Sequence, residues 1–245
     1  MKINKEGNNY TFGFAIAMVV VVGTLLSVAA ISLKPLQKKN QKQEKMQAIL
    51  KTIGVECSRA EAEINFGKYV QNRLLLTYNA ETKSDNSGDI DPFNKDDAFN
   101  IDITKEYKNS SLTIKDRGYP LYVCEKDGEN YYVIPMVGKG LWGPIWGFVA
   151  ISEDKNTVFG ASFDHKTETP GLGAEIRYEP FQEPFKGKKI FNIDNEFASI
   201  KVVKGGAKPS DNHGVDAISG GTITSNGVTE MLERTLKVYV PYLKK

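Results

Sequence analysis

The polarity pattern opens with an uninterrupted apolar run over residues 12–33, with Val19, Val20, Val21, Val22, Leu25 and Leu26 at its centre and no charge inside it. As a helix these 22 residues extend about 33 Å, enough to cross the hydrocarbon core of a bilayer. The run exceeds the apolar core of a signal peptide, so it reads as an uncleaved single-pass anchor, although Ser27-Val28-Ala29-Ala30 offers the small residues of a cleavage site. Lys34, Lys38, Lys39 and Lys42 outnumber Lys2 and Lys5 on the other flank. Counted alone, these charges place the C-terminal part on the cytoplasmic side, but large domains translocate against such a bias, so the pattern leaves the orientation open.

Residues 37–54 read as a basic helix with Met46, Ile49, Leu50 and Ile53 on one face and Gly54 as its stop. Ser58-Arg59-Ala60-Glu61 has capping-box spacing and opens a helix through Ile64, Tyr69 and Val70. Residues 83–97 are polar, are broken by Gly88 and Pro92, and read as a loop whose acidic residues lack the spacing of a calcium-binding loop. From Tyr119 the pattern turns strand-like. Segments 121–124 and 131–134 flank Asp127-Gly128 as a hairpin, and 145–151, 158–163 and 200–203 are further strands. At the C-terminus Val228, Met231, Leu232, Thr235, Leu236 and Tyr239 recur on one face of an amphipathic helix that begins near Thr224 or Ser225. Strands and helices without a βαβ rhythm or a long repeat give an α+β class. The resulting organisation is a tail (1–11), a transmembrane helix (12–33), a juxtamembrane helix or linker (34–54) and one mixed strand/helix domain (55–245).

Composition narrows the chemistry. Net charge is +2 and no basic patch is interleaved with aromatics beyond the membrane flank, which argues against nucleic acid. Two cysteines, Cys57 and Cys124, and two histidines, His165 and His213, exclude the usual zinc and iron–sulfur ligand sets within this chain. The two cysteines fit either a disulfide in an oxidising compartment or two buried free thiols.

Three stretches could carry a ligand. Asp216-Ala217-Ile218-Ser219-Gly220-Gly221-Thr222-Ile223-Thr224-Ser225-Asn226 runs into the C-terminal helix. Its hydroxyls suit N-capping, and the unpaired amides and dipole of a helix start favour an anion such as phosphate. An extended Thr222-Ile223-Thr224 would turn both threonines to one side, leaving Ser225 as the cap. Gly138-Lys139-Gly140-Leu141-Trp142-Gly143 formally satisfies a dinucleotide fingerprint, but Pro144 and a strand follow where a helix is required. It reads instead as a turn presenting Leu141 and Trp142, with Trp142 either covering a planar ligand or packing at a strand end. His165-Lys166-Thr167-Glu168-Thr169-Pro170-Gly171-Leu172-Gly173 is a stiff and then permissive turn that lets backbone face a ligand closely. A membrane-anchored hydrolase using Ser219 with His165 or His213 is disfavoured by Ala217, where a nucleophile elbow needs glycine. A scaffold protein without chemistry is the third class.

Asp216, Ser219, Gly220, Thr222 and Thr224 match the attachment motif Asp-x-x-Ser/Thr-Gly-Ala-Ser/Thr-x-Thr, with Gly221 in place of alanine. Together with the Glu-Thr-Pro-Gly-Leu-Gly turn, this resembles the covalent-FMN family, subunits of the Na⁺-translocating NADH:quinone reductase and of the related Rnf complex. Gly140-Leu141-Trp142, Val203-Lys204-Gly205-Gly206 and the overall length favour the NADH:quinone reductase branch over the Rnf one. The resemblance implies a one-electron carrier in a respiratory complex that oxidises NADH, reduces quinone and moves Na⁺, with no complete catalytic site in this chain alone. It implies FMN held as a phosphoester on Thr224 by a separate flavin transferase. Ser219, Gly220 and Thr222 would then lie along the phosphate, with Lys204 among the cofactor contacts. Glu168, Thr169, Gly171 and Gly173 would lie along the ring, and Gly140, Leu141, Trp142 and Leu172 would bound it. It also implies the other subunits as partners, and a bacterial inner membrane location with the C-terminal domain in the periplasm.

Overall fold

The computed structural model describes residues 7–245; Lys2 and Lys5, and the first six residues of the expected tail, lie outside the described residues. The first element, α1 (Asn8–Thr52), is one continuous helix and not a span followed by a separate helix. Pro35 lies inside it, because a proline removes one N–H donor and disturbs only the bond to the carbonyl four residues back. Two compact units divide the chain, one ending at Glu44 and one covering residues 45–245. In the first, the apolar residues of the run expose large side chains throughout. Among the described residues α1 is the one helix long and apolar enough to cross a membrane.

In the second unit a six-stranded antiparallel sheet carries the fold. Its strands are β1 (Val70–Leu76), β2 (Thr82–Asn86), β3 (Tyr119–Lys126), β4 (Glu129–Lys139), β5 (Pro144–Ile151) and β6 (Val158–His165), in the order β2-β1-β3-β4-β5-β6. The hairpin between β3 and β4 turns at Asp127 (φ 55°) and Gly128 (φ 83°), the pair of left-handed conformations that matches strand twist. Both sheet faces are covered, and the alternation of side chains sorts neighbours into two cores. Tyr122, Cys124, Val133 and Phe148 face Met46, Ile49 and Leu50 at the end of α1, Ile53 just beyond it and Phe66 of α2 (Ala62–Tyr69). Leu121, Ile134, Met136 and Val149 face the C-terminal helix and a two-stranded parallel sheet of β7 (Lys201–Val203) and β8 (Gly214–Asp216). Two short helices, α3 (Ile103–Lys108) and α4 (Glu179–Gln182), complete the unit together with α5 (Thr222–Leu243).

Two local expectations change. Ser58 and Glu61 do form the capping box, the carboxylate accepting from both Ser58 N–H (3.0 Å) and Ser58 Oγ (2.6 Å), but the helix stops at Tyr69 and Val70 starts β1. The 83–97 segment is not all loop. It contains most of β2 and returns to Asp97, which pairs in the interior with Arg73 of β1. Arg73 donates through Nε to both carboxylate oxygens (3.0 and 3.1 Å), through Nη2 to Oδ2 (2.8 Å) and through Nη1 to the Gly88 carbonyl (2.7 Å). The two cysteines are free. Burial pushes the Cys124 thiol up to about 12, which keeps it protonated and inert.

Removing one partner of a buried ion pair leaves a charge that neither water nor a counter-ion compensates. Asp97→Asn is therefore expected to cost about 3–5 kcal/mol, read as a lower denaturant midpoint of the detergent-solubilised protein at unchanged slope. A loss below about 1 kcal/mol would place the pair in the range of surface ion pairs and reject its role in fixing the 83–97 segment.

Candidate functional site

Three backbone turns meet at one end of the sheet. The first links β4 to β5 and closes with Gly140 N–H donating to the Gly143 carbonyl at 2.8 Å. It leaves Leu141 (47 % exposed) and Trp142 (67 %) projecting outward, so Trp142 is not a core residue. The second follows β6, where the Leu172 and Ala174 amides both donate to the Thr169 carbonyl (3.1 and 3.2 Å) and a 3₁₀ turn begins at Gly173. Thr169, Gly171 and Leu172 (41 % exposed) face outward, whereas Glu168 turns inward and is only 5 % exposed. The third is the start of α5.

The helix starts at Thr222 with Gly221 in the capping position, two to three residues earlier than the hydroxyl pattern suggests. Ser225 does not cap it. Its Oγ instead accepts from the Ile218 amide at 3.2 Å, bracing the loop that leads into the helix. The first bond of the ladder runs from Ser225 N–H to the Gly221 carbonyl (2.9 Å), so the amides of Thr222, Ile223 and Thr224 precede it. Helical geometry separates Thr222 and Thr224 by about 200°, overturning the shared side that an extended turn would give. Ile223 is exposed, Thr222 half-buried, and Thr224 buried.

Thr224 is thereby aimed at Glu168. Its Oγ1 donates to Glu168 Oε2 at 2.5 Å, while Oε1 accepts from the Trp142 amide at 2.8 Å. The Glu168 amide in turn donates to His165 Nδ1 at 3.1 Å, which puts that ring's proton on Nε2. One carboxylate thus ties together the three turns. The cradle tolerates no extra atoms, since a Cβ on Gly140 would stand 2.6 Å from Glu168 Oε1, and one on Gly173 would collide with Glu168 Oε2 and Thr224 Oγ1.

The remaining sequence candidates divide. Ser219 and Gly220 are exposed on the loop before α5, with Gly220 in the left-handed region at φ 73°. Asp216 Oδ1 accepts from the Ala207 amide at 2.7 Å and shapes the loop after β7. Lys204 is exposed at the end of β7, whose last residue accepts from the Ala217 amide at 3.1 Å. The hydrolase arrangement does not form: His165 Nδ1 is occupied by the Glu168 amide, and His213 Nδ1 contacts the Lys189 carbonyl at 2.7 Å. No group of three or more His, Cys, Asp or Glu side chains suited to a metal occurs among the described residues. Sequence reasoning misses Gly227, where a Cβ would strike the Lys139 carbonyl. A glycine inside an otherwise good amphipathic helix is the available signal.

Gly173→Ala is expected to destabilise by about 1–3 kcal/mol, the usual cost of overpacking. Gly67 lies in α2 with open space around its Cβ position, so Gly67→Ala is expected to stabilise by up to about 1 kcal/mol. Chemical denaturation of both variants checks the contrast; equal shifts would mean that the Thr224–Glu168 contact does not crowd Gly173.

Comparisons with known proteins converge on the same region. The sequence profile of the FMN-binding domain family matches residues 140–237, which begin at the first turn and end within α5. The C subunit of the Na(+)-translocating NADH-quinone reductase from Vibrio alginolyticus is 34% identical over 250 residues, covering 100% of this chain and 97% of that one. The Vibrio anguillarum protein of the same name is 35% identical over 231 residues, covering 93% and 90%. Among solved structures, the C subunit from Parabacteroides distasonis superposes with a TM-score of 0.74 at 41% identity, covering 87% of this chain and 98% of that one. Shewanella oneidensis NqrC gives a TM-score of 0.67 at 28% identity, covering 83% and 98%. With likeness in both sequence and fold over most of its length, the chain belongs to the NqrC family, the C subunits of the Na⁺-translocating NADH-quinone reductases.

Proposed function

We propose that this chain is the FMN-bearing electron-transfer subunit of a Na⁺-translocating NADH-quinone reductase, with the flavin phosphate esterified to Thr224. The observation that carries the reading is the placement of the Thr224 hydroxyl at the first turn of α5, hydrogen-bonded to Glu168 beneath an exposed apolar rim.

The residues present fit the group. Amides that precede the helical ladder, together with the positive end of the dipole, favour a phosphate at this position. A Cβ at Gly140 would press on the Glu168 carboxylate, and one at Gly173 on both that carboxylate and Thr224 Oγ1, so glycine at both places leaves the pair undisturbed beneath the rim. Leu141, Trp142 and Leu172 present apolar surface in water, which is costly unless something covers it, and an isoalloxazine ring has the planar apolar faces to do so. When bound, FMN supplies reversible electron acceptance. The protein's part is to anchor the phosphate at α5, to seat the ring against Trp142, Leu141 and Leu172, and to shed water from it. Thr169, Gly171 and Gly173 lie on the turn that would flank the ring, and Ser219, Gly220 and Thr222 on the one that would flank the phosphate. Lys204 would add positive charge from the end of β7.

In this reading residues 12–33 of α1 anchor the chain in the bacterial inner membrane, and residues 55–245 form the flavin domain. That domain faces the periplasm, where a flavin transferase loads it and the other subunits of the complex exchange electrons with it as Na⁺ crosses the membrane.

Two measurements test the proposal. Thr224→Ala, co-expressed with the transferase, is expected to lose the fluorescent flavin band on a denaturing gel, whereas Thr222→Ala and Ser225→Ala keep a weakened one. A full band from Thr224→Ala would sink the attachment site. For topology, Ser87 is exposed just after β2. Ser87→Cys in a Cys57→Ser background is expected to react with a membrane-impermeant maleimide in cells whose inner membrane is intact. Labelling only after that membrane is breached would put the domain in the cytoplasm.

A further inference from the structure

We propose that Glu168 is the proton acceptor for the covalent loading of Thr224, so that this chain supplies part of the catalytic machinery for its own modification. The inference rests on the reading that Thr224 is the attachment site.

An alcohol is a weak nucleophile at neutral pH and attacks phosphorus efficiently only when a base takes its proton as the new bond forms. Three hydroxyls crowd the start of α5, and the structure separates them by what each one faces. Ser225 Oγ is engaged by the Ile218 amide, a donor that cannot accept a proton. Thr222 has no hydrogen bond to a carboxylate among the described residues. Thr224 Oγ1 alone of the three donates to a carboxylate, Glu168 Oε2, at 2.5 Å, a short distance typical of hydroxyl–carboxylate pairs.

The carboxylate is placed for this task. It is nearly buried, and its other oxygen is committed to the Trp142 amide, which leaves Oε2 to receive the proton. His165 holds its backbone from behind. The first turn of α5 carries no charged side chain to compete for the hydroxyl. Gly140 and Gly173 pass so close to the pair that a Cβ on either would displace it.

The co-reactant is a flavin-bearing phosphoanhydride delivered by the transferase. Thr224 Oγ1 attacks the phosphorus that carries the flavin alcohol, forming the Oγ1–P bond. The anhydride P–O bond breaks, and its electron pair leaves on the departing phosphate ester. The Thr224 proton passes to Glu168 Oε2, and no atom changes oxidation state. Charge growing on the phosphoryl oxygens falls beside the free amides of Thr222, Ile223 and Thr224. After transfer Oγ1 can no longer donate, and two facing acceptors would repel. The protonated acid resolves this by donating back to the ester or phosphate oxygen, so one carboxyl group suits both states of the site.

The test uses the full-length chain in detergent, purified from cells lacking the transferase and then loaded in vitro with purified transferase and its flavin donor. Glu168→Gln keeps an acceptor of similar shape but removes the base. It is expected to lower the maximal loading rate by about 100-fold or more, with the KM for the acceptor chain within about threefold and a cooperative melt retained. A rate within about threefold of wild type, or a loss confined to KM, overturns the proposal. Should Glu168→Gln melt below the assay temperature, Glu168→Asp and Glu168→Ala give the same decision: the aspartate variant must load faster, and equal rates overturn the role. Thr224→Ala in the same assay separates the two readings. Loading of that variant would fail the attachment site itself, whereas a blank Thr224→Ala beside a fast Glu168→Gln would fail only the base.

Discussion

The site depends on how closely α5 lies on β4. At Gly227 the helix backbone comes against the Lys139 carbonyl so tightly that a single methyl group has no room, and one turn further on Met231 fills the place where a side chain at Gly138 would stand. Two elements in such contact cannot slide or rotate independently. The first turn of α5 is therefore held beside the turn that leaves β4, and the buried face carrying Val228, Met231 and Leu232 sets the rotation about the helix axis. With height and rotation both set, Thr224 has one direction in which to point. A helix glycine that costs about 1 kcal/mol in isolation here permits the packing that aims the hydroxyl.

Around that hydroxyl the protein combines two environments that are usually kept apart. Inside, a carboxylate shielded from water accepts from two other chain segments, through the Trp142 amide and the Thr224 hydroxyl, while the backbone amide of the same residue donates to His165, so its geometry is over-determined. Outside, large apolar side chains stand in solvent within the same few residues. A rigid polar floor beneath an exposed apolar rim suits a ligand with a charged foot and a flat apolar body.

Much of this fold is legible in the sequence, and the failures have physical reasons. The β3–β4 hairpin, the α5 face and the apolar face at 46–53 can be read because each buries a periodic set of side chains, and periodicity is local. Strand β1 cannot: Gln71-Asn72-Arg73 interrupts its apolar pattern, and Arg73 is buried only because Asp97, 24 positions away, neutralises it. Strand β2, Thr-Lys-Ser-Asp-Asn, is a polar edge strand with no apolar face to betray it. The start of α5 is misplaced by sequence because Ser225 looks like a cap, while tertiary structure gives its oxygen to Ile218. The motif points to Thr224, but its distinction from Thr222 and Ser225 comes from Glu168, 56 positions earlier, which no local pattern connects to it.

The end of α1 bears on how the molecule can be divided. Met46, Ile49, Leu50 and Ile53 are fully or almost fully buried against the sheet, so the last two turns of α1 are also core. A soluble fragment begun at Gly54, the apparent end of the helical segment, would expose the lower face of the sheet and invite aggregation. One begun between Leu33 and Gln43 would retain that face intact. The same distinction applies to proteolysis in the cell: cleavage in the lysine-rich stretch would shed a folded domain, whereas removal of ten further residues would leave a substrate for degradation.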